Sequence, residues 1–196
     1  MLTTILHTME RAALQGLRLA TAALAGALLV GCGEPTNHNR AAFVLIDISN
    51  SYAAEREQAR RLTNYLLAEL NAGDSLAVGF IDNSSFTERN IIAQVTFDGR
   101  PSVAGDQKRA FQRRVNTFME QFQTPSYHSD ITGGVLLARD YLEQTEAGRQ
   151  QLFLLSDLIE DVPPRLERDM KLSLSDVEVV AVNVKRQRSD NENPRS

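Results

Sequence analysis

Short runs of apolar residues alternate with longer amphipathic stretches along this chain. Four runs are almost wholly apolar and end at a turn or at an acid, which is typical of strands buried on both faces of a sheet. These runs cover 42–48, 76–81, 152–155 and 177–184. A fifth stretch, 91–97, alternates apolar with polar residues and follows the second run after the nine residues 82–90, which are rich in turn formers. Because so short a connection has no room for a crossover helix, we expect 91–97 to return antiparallel as a half-exposed edge strand.

Three other stretches repeat apolar residues at steps of three and four, which is the period of an amphipathic helix. We expect these helices at 52–71, at 105–123 after a loop through Gly99 and Pro101, and from the end of the polar loop 126–130 to Gly148. A short helix at most follows at 163–170. The residues expected to face the core are Ala59, Leu62, Leu66 and Leu70 in the first helix, Phe111, Val115, Phe118 and Phe122 in the second, and Val135, Ala138 or Arg139, and Leu142 in the third.

The order of these elements predicts the fold class. It is strand, helix, strand, strand, helix, helix, strand, short helix, strand, and wholly apolar parallel strands need helices on both faces of their sheet. The predicted fold is therefore α/β, with a doubly wound, mostly parallel sheet, one antiparallel edge strand and helices on both faces. At 196 residues and 42% hydrophobic content, the chain is long enough for one such domain with a sizeable core.

The N-terminal segment predicts export and attachment to a membrane. Arg11 and Arg18 precede an uncharged stretch, 19–30. This stretch is too short to span a bilayer comfortably and is typical of a signal peptide. It ends in Leu29-Val30-Gly31-Cys32, which resembles the bacterial lipobox, in which the cysteine is diacylated and becomes the mature N-terminus. The alternative is a buried thiol in a signal anchor.

This interpretation divides the chain into segments and gives it a location. We expect a lipoprotein signal peptide at 1–31, the lipidated Cys32 with a tether at 32–40, the folded domain at 41–185 and a disordered polar tail at 186–196. Cys32 is the single cysteine, so an internal disulfide is excluded. Gly33 stands where resembling lipoproteins retained at the inner membrane have Asp, which favours the outer membrane, facing the periplasm. Met9 is an alternative start to Met1.

Charge adds little to this picture. The formal net charge is -4, and the sequence has no basic stripe of the kind that predicts nucleic-acid binding. Lys108, Arg109, Arg113 and Arg114 form a basic cluster at helical spacing, which is more typical of a solvated helix face than of a docking patch.

Oxygen-bearing side chains follow two of the apolar runs. Asp47, Ser49 and Ser51 come directly after the first run, and Asp157 follows the run 152–155. Carboxylate and hydroxyl oxygens are the ligands that hard divalent cations prefer. In an open α/β sheet, ligands bind at the carboxyl ends of strands where the winding direction reverses, so Asp47 and Asp157 meet if their strands are neighbours there. Taken one at a time, each of these residues is as typical of a helix N-cap or a turn as of a metal ligand.

Together, these residues resemble the metal-ion-dependent adhesion site of von Willebrand factor type A (VWA) domains, and the resemblance covers about 41–185. It rests on Asp47-x-Ser49-x-Ser51, on Leu-Leu-Ser-Asp157 and on a hydroxyl before a helix in mid-chain. The resemblance implies Mg²⁺ or Mn²⁺ held by Asp47, Ser49, Ser51, Asp157 and a middle hydroxyl. For that hydroxyl, Ser129 aligns without gaps with the family's threonine, and Thr132 is the alternative. The family normally continues beyond the last strand predicted here, so the fold is expected to be shortened at its C-terminal side.

The function implied by this resemblance is a membrane-anchored binding module that captures an acidic residue of a protein partner through the cation. Two alternatives remain: a structural lipoprotein with a vestigial metal site, and a metal-dependent phosphotransferase. The second is disfavoured because such enzymes generally want a second acid where Ser49 stands, and no glycine-rich phosphate loop is present. We therefore expect no catalytic residues. His128, Glu160 and Asp161 are expected to be surface residues beside the site.

Overall fold

A five-stranded mixed sheet forms the centre of the structure, a computed structural model that describes residues 37–48, 52–122, 126–163, 166 and 172–182, without the side chains of 52–55. Its strands are β1 (Arg40–Asp47), β2 (Ser75–Ile81), β3 (Ile91–Thr96), β4 (Arg149–Leu155) and β5 (Val177–Val182). They lie in the order β3-β2-β1-β4-β5. Of the pairs between them, β2 with β3 is antiparallel and the other three are parallel.

Helices pack on both faces of this sheet: α1 (Tyr52–Glu69), α2 (Pro101–Gln121) and α3 (Ile131–Gln144). Successive side chains of β1 point to opposite faces. Ala42, Val44 and Ile46 pack with α1 and α2, whereas Phe43 and Leu45 pack with α3. The predicted α/β class, with a mostly parallel sheet, one antiparallel edge strand and helices on both faces, is confirmed.

Two helix boundaries differ from those predicted. Helix α2 begins at Pro101, inside the stretch expected to be a loop, because proline is favoured in the first turn of a helix, where its missing N–H has no intrahelical partner in any case. Helix α3 ends at Gln144, before Gly148, and Glu146 takes the left-handed conformation that follows it, with a φ of 49°. The helical period allowed either Ala138 or Arg139 to face the core from α3, and Ala138 is fully buried.

The carboxyl end of β1 is where the winding of the sheet reverses. From β1 the chain passes to β2 on one side, and it later returns to β4 on the other side. Strand β1 is therefore paired along both edges and covered on both faces. Asp47 is its last residue, so the acid lies at the position where open α/β sheets bind ligands.

The amino end of the sheet is closed by the residues that precede β1. Asn37 donates a side-chain hydrogen bond to the carbonyl of Glu146 (2.7 Å), and Arg149 donates its N–H to the carbonyl of Asn39 (3.3 Å). The carbonyl oxygen of Asn37 occupies the space that a Cβ on Gly148 would need. Gly148 is thus required for a close approach of two backbone segments.

Several predictions about the ends of the chain lie outside the described residues. These are the signal peptide 1–31, the lipidated Cys32 with the first part of the tether, and the polar tail 186–196. Across the residues that the structure does describe, no helix combines the length and the apolar composition that crossing a bilayer requires.

Replacing Gly148 by alanine is expected to destabilise the domain, because the new methyl group meets the backbone of Asn37 and the closure of the amino end must shift. We expect a loss of about 1–3 kcal/mol in the free energy of unfolding, measured by urea denaturation. Gly99→Ala is the matched control, since no atom lies within 4 Å of a Cβ at that position. Equal unfolding midpoints for the two variants would contradict the close approach.

Candidate functional site

The carboxylate of Asp47 is buried and receives hydrogen bonds from two serines of distant segments. The hydroxyl of Ser129 donates to its Oδ1 (3.2 Å) and the hydroxyl of Ser156 donates to its Oδ2 (2.9 Å). All three residues are at most 6% exposed. The two serines stand 82 and 109 residues away along the chain, so the fold itself brings these oxygens together.

Backbone hydrogen bonds hold the loop that carries Ser129, residues 126–130. Ser126 donates its N–H to the carbonyl of Ile48 (3.2 Å), which ties the start of the loop to the residue after β1. Ser129 and Asp161 exchange two backbone hydrogen bonds (2.9 and 3.2 Å). The Ser129 hydroxyl is therefore fixed between β1 and the segment that follows β4.

Asp130, the next residue, is fully buried and caps helix α3. Its carboxylate accepts the N–H groups of Gly133 (2.9 Å) and Ser85 (2.8 Å), and its own N–H donates to the carbonyl of Asp82 (2.9 Å). These bonds join the loop after β2 to the first turn of α3. The next glycine, Gly134, allows this helix to lie close to Leu45 of β1, since a Cβ there would be only 3.0 Å from that side chain.

The two candidates for the middle hydroxyl have different hydrogen-bond partners. Ser129 bonds directly to Asp47, whereas Thr132 donates both its N–H (2.8 Å) and its hydroxyl (3.0 Å) to the carboxylate of Glu160. Of these two residues, Ser129 is the one whose hydroxyl reaches Asp47.

The segment after β4 forms a tight turn beside Asp47. The hydroxyl of Ser156 accepts the N–H of Leu158 (3.0 Å), and the Oδ1 of Asp157 accepts the N–H of Ile159 (3.2 Å). Leu158 has a φ of 61°, a left-handed conformation that is uncommon for a residue with a bulky side chain. The predicted ligand Asp157 thus lies directly after the serine that contacts Asp47.

The polar residues expected beside the site connect the loop 126–130 to the segments that follow β2 and β4. Nδ1 of His128 lies 3.1 Å from the Oδ2 of Asp161, and the backbone N–H of His128 donates to the Oδ1 of Asn83 (3.0 Å). Glu160 and Asp161 are exposed, as expected for surface residues, yet Glu160 bonds to Thr132 and Asp161 to both His128 and Ser129.

Part of the predicted metal site lies outside the described residues, namely Ser49 and Ser51. Within the part of the chain that the structure describes, no group of three or more His, Cys, Asp or Glu side chains is arranged to hold a metal ion. The predicted ligand set contains two such side chains, Asp47 and Asp157, and is otherwise made of hydroxyls.

Ser156 and Asp130 were not predicted to belong to the site. The signal for Ser156 was its place between a buried strand and an acid, where a hydroxyl is costly to bury without a partner. The signal for Asp130 was an N-cap residue followed three positions later by Gly133, which leaves room for the capping carboxylate.

A cavity of about 500 Å³ lies at the open edge of β3. Phe86, Ile92, Leu137 and Tyr141 belong to its wall, and none of the predicted site residues does. Burial raises the pKa of Tyr141 to about 12, although a hydrogen bond with Ser75 opposes this shift. Since its wall contains none of the predicted site residues, this cavity does not bear on the chemistry at Asp47.

Comparisons with known proteins concern the fold. The sequence matches no model of a known protein family and no curated protein sequence. Similar solved structures include the manganese-loaded TRAP protein of Plasmodium vivax, with a TM-score of 0.45, 18% identity and coverage of 64% of this chain and 49% of that one. The pilus adhesin SpaC of Lactobacillus rhamnosus GG in an open conformation has a TM-score of 0.42, 17% identity and coverage of 62% and 15%. Proximal thread matrix protein 1 of the mussel byssus has a TM-score of 0.45, 12% identity and coverage of 76% and 38%.

This chain spans less than half the length of each of those three proteins. With TM-scores below 0.5, the likenesses carry no information about function.

Ser156→Ala is expected to destabilise the domain, because it removes a donor to the Asp47 carboxylate and the acceptor of the Leu158 N–H in one change. Buried polar groups left without these partners cost about 1–3 kcal/mol in the free energy of unfolding. Urea denaturation measures this loss, and Ser102→Ala, at an exposed position on α2, serves as the matched control. A loss no larger than that of the control would show that the Ser156 hydroxyl does not support Asp47.

Proposed function

We propose that this chain is a membrane-anchored, metal-dependent protein-binding module of the VWA type. In this proposal, Asp47, Ser49, Ser51, Ser129 and Asp157 hold Mg²⁺ or Mn²⁺, and the ion binds an acidic side chain of a protein partner. The observation that carries it is the placement of the Ser129 hydroxyl against the buried Asp47 carboxylate, at the point where the sheet reverses its winding.

The oxygens at this point fit a small divalent cation. The Oδ1 of Asp47 and the hydroxyl of Ser129, both proposed ligands, lie 3.2 Å apart. Neighbouring ligands of an octahedral Mg²⁺ ion with bonds of about 2.0–2.1 Å are spaced at roughly 2.9 Å. Ser129 donates its proton to Asp47 and keeps lone pairs on its oxygen. A bound cation supplies positive charge to which a carboxylate of the partner can be attracted.

Electrostatics supports a cation as the bridge. Asp157, Glu160 and Asp161 follow β4 at the same edge as Asp47, and they make this edge unfavourable for an acidic partner by like-charge repulsion. A divalent cation offsets two of these negative charges where it binds. The other proposed ligands are neutral hydroxyls, so the ion can still accept an oxygen of an anionic partner group as a ligand.

The described residues that precede β1 lie at the opposite end of that strand from Asp47. Residues 37–39 pack at the amino end of the sheet, whereas Asp47 lies at the far end of the eight-residue strand β1. Such a strand is about 26 Å long.

Metal binding is tested by titrating Mg²⁺ into the full chain, purified in detergent, by isothermal titration calorimetry. We expect Asp47→Asn to weaken Mg²⁺ binding by at least about tenfold, as loss of a residue at a metal site typically does. Ser129→Ala is expected to weaken it more than Thr132→Ala, because the Thr132 hydroxyl is bonded to Glu160.

The same variants separate the alternatives. Equal, negligible Mg²⁺ binding by the unaltered chain and by Asp47→Asn would overturn the proposal and leave the structural lipoprotein. A phosphatase activity toward p-nitrophenyl phosphate that Asp47→Asn abolishes would instead favour the phosphotransferase.

Membrane attachment is tested separately with Cys32→Ser. We expect this variant to leave the membrane fraction, because stable anchoring requires the acyl chains that only this cysteine can carry. Metabolic labelling with a radioactive fatty acid should mark the unaltered chain and not the variant. Membrane association that persists in the variant would contradict lipidation without affecting the proposal of a metal site.

A further inference from the structure

We propose that two copies of this chain associate through the open edge of β3 and form one continuous sheet, with five strands from each copy. The two β3 strands run antiparallel in this dimer, and a two-fold axis passes between them at Val95. This inference goes beyond the proposed function and does not depend on the metal site. It concerns a surface to which none of the predicted site residues contributes.

Strand β3 has backbone hydrogen-bonding groups that face away from the rest of the sheet. It lies at the edge of the sheet and pairs with β2 alone. Phe97, just beyond its end, donates its N–H to the carbonyl of Asp74 (2.9 Å) and accepts the N–H of Gly73 (2.8 Å), so its backbone groups point toward β2. Because this direction alternates along an antiparallel strand, the N–H and C=O groups of Gln94 and Thr96 point outward.

Neither the composition of β3 nor the packing beside it blocks this edge. Edge strands that must not pair commonly carry Lys or Pro, whereas β3 (Ile-Ile-Ala-Gln-Val-Thr) has no charged residue and no proline. Two cavities of about 500 and 370 Å³ lie side by side along it and together extend from Ile91 to Thr96. The described residues therefore leave space beside the whole strand.

A bulge limits where a second strand can pair with this edge. The register of β3 with β2 shifts after Val78 and leaves Ile92 without a partner on that strand. Such an extra residue bends its strand and interrupts the regular ladder. The regular part of the edge therefore offers outward backbone groups at two positions, Gln94 and Thr96.

A second copy of β3 matches this short edge. When two such strands run antiparallel about Val95, Gln94 of each copy stands opposite Thr96 of the other, and each of these pairs exchanges two N–H···O bonds. The second strand carries its own bulge at the same distance from the axis, so neither strand has to pair across one. The two Val95 side chains, each partly buried on the side of the sheet that α2 covers, face each other at the axis and shield one another from water.

Charge complementarity supports the same register. Arg114 of α2 is exposed and lies in the wall of the larger cavity together with Ile92, and no carboxylate among the described residues pairs with it. With the axis at Val95, Asp98 of the second copy stands opposite Ile92, at the end of the edge where Arg114 lies. Asp98 binds Arg100 of its own chain (2.8 Å), and a carboxylate keeps lone pairs for a second guanidinium group. The two-fold axis creates this contact twice.

The test measures the mass of the protein as the edge is altered. Size-exclusion chromatography with multi-angle light scattering is run on the full chain in detergent at a series of concentrations, and it separates the protein mass from that of the detergent. We expect the unaltered chain to reach the mass of two chains at high concentration. Arg114→Asp and Asp98→Arg, each alone, bring like charges together twice and should raise the dissociation constant of the dimer roughly tenfold.

An equal mixture of these two variants tests the register. In a mixed dimer, the new aspartate of one chain meets the new arginine of the other, and the unaltered Asp98 of the first chain meets the unaltered Arg114 of the second. We expect the mixture to regain the affinity of the unaltered chain. Arg113→Asp is the matched control, since it reverses a neighbouring exposed charge outside the cavity wall and should leave the dissociation constant unchanged.

Gln94→Pro tests the backbone pairing by itself. Proline lacks the outward N–H, and an edge strand tolerates proline where that N–H has no partner within its own sheet. We expect this variant to keep the mass of one chain. Gln94→Thr, which retains the N–H, should still form the dimer.

Three results would overturn the proposal. The first is a mass of one chain for the unaltered protein at every concentration. The second is a dimer that persists in Gln94→Pro and in both charge variants, because such a dimer uses another surface. The third is a mixture of the charge variants that dimerises as weakly as either variant alone. If Gln94→Pro does not fold, the charge variants decide the matter, since they alter side chains at the surface and leave the backbone of β3 intact.

Discussion

The constraint on which the rest of the structure depends is the burial of a carboxylate at the end of the central strand. Strand β1 is paired along both edges and its apolar side chains are covered on both faces, so its last residue, Asp47, is only 6% exposed. A buried charge is costly unless hydrogen bonds or an opposite charge compensate for it. The loops before α3 and after β4 must therefore each bring a donor to this point, and Ser129 and Ser156 are those donors.

The fold was largely predictable because its signals are local. A wholly apolar run of four to eight residues is too short for most helices, and the period of three and four residues marks the helices that cover the sheet. The short connection 82–90 was enough to predict the antiparallel β3. Helix boundaries were less predictable, because Pro101 occurs equally in loops and in first turns, and the propensity of proline alone does not separate the two.

The site was only partly predictable because its contacts join residues far apart in the sequence. The resemblance to a known family left Ser129 and Thr132 as candidates for the middle hydroxyl, and the Ser129 hydroxyl is the one that lies against Asp47. The place of Ser156 after a buried strand indicates a hydroxyl that needs a partner, but no local pattern identifies Asp47 as that partner, since the two residues are 109 positions apart. Likewise, the need for glycine at position 148 comes from the path of Asn37, which no nearby residue reveals.

The loops around Asp47 are linked to one another as well as to the acid. Ser129 bonds to Asp161 through the backbone, and Thr132 at the start of α3 bonds to Glu160. The loop before α3 and the segment after β4 are therefore joined by hydrogen bonds. The Ser156 hydroxyl has a single proton, which it donates to Asp47 while it accepts the N–H of Leu158. The position of the turn after β4 and that of the Asp47 carboxylate are thus coupled through one serine hydroxyl.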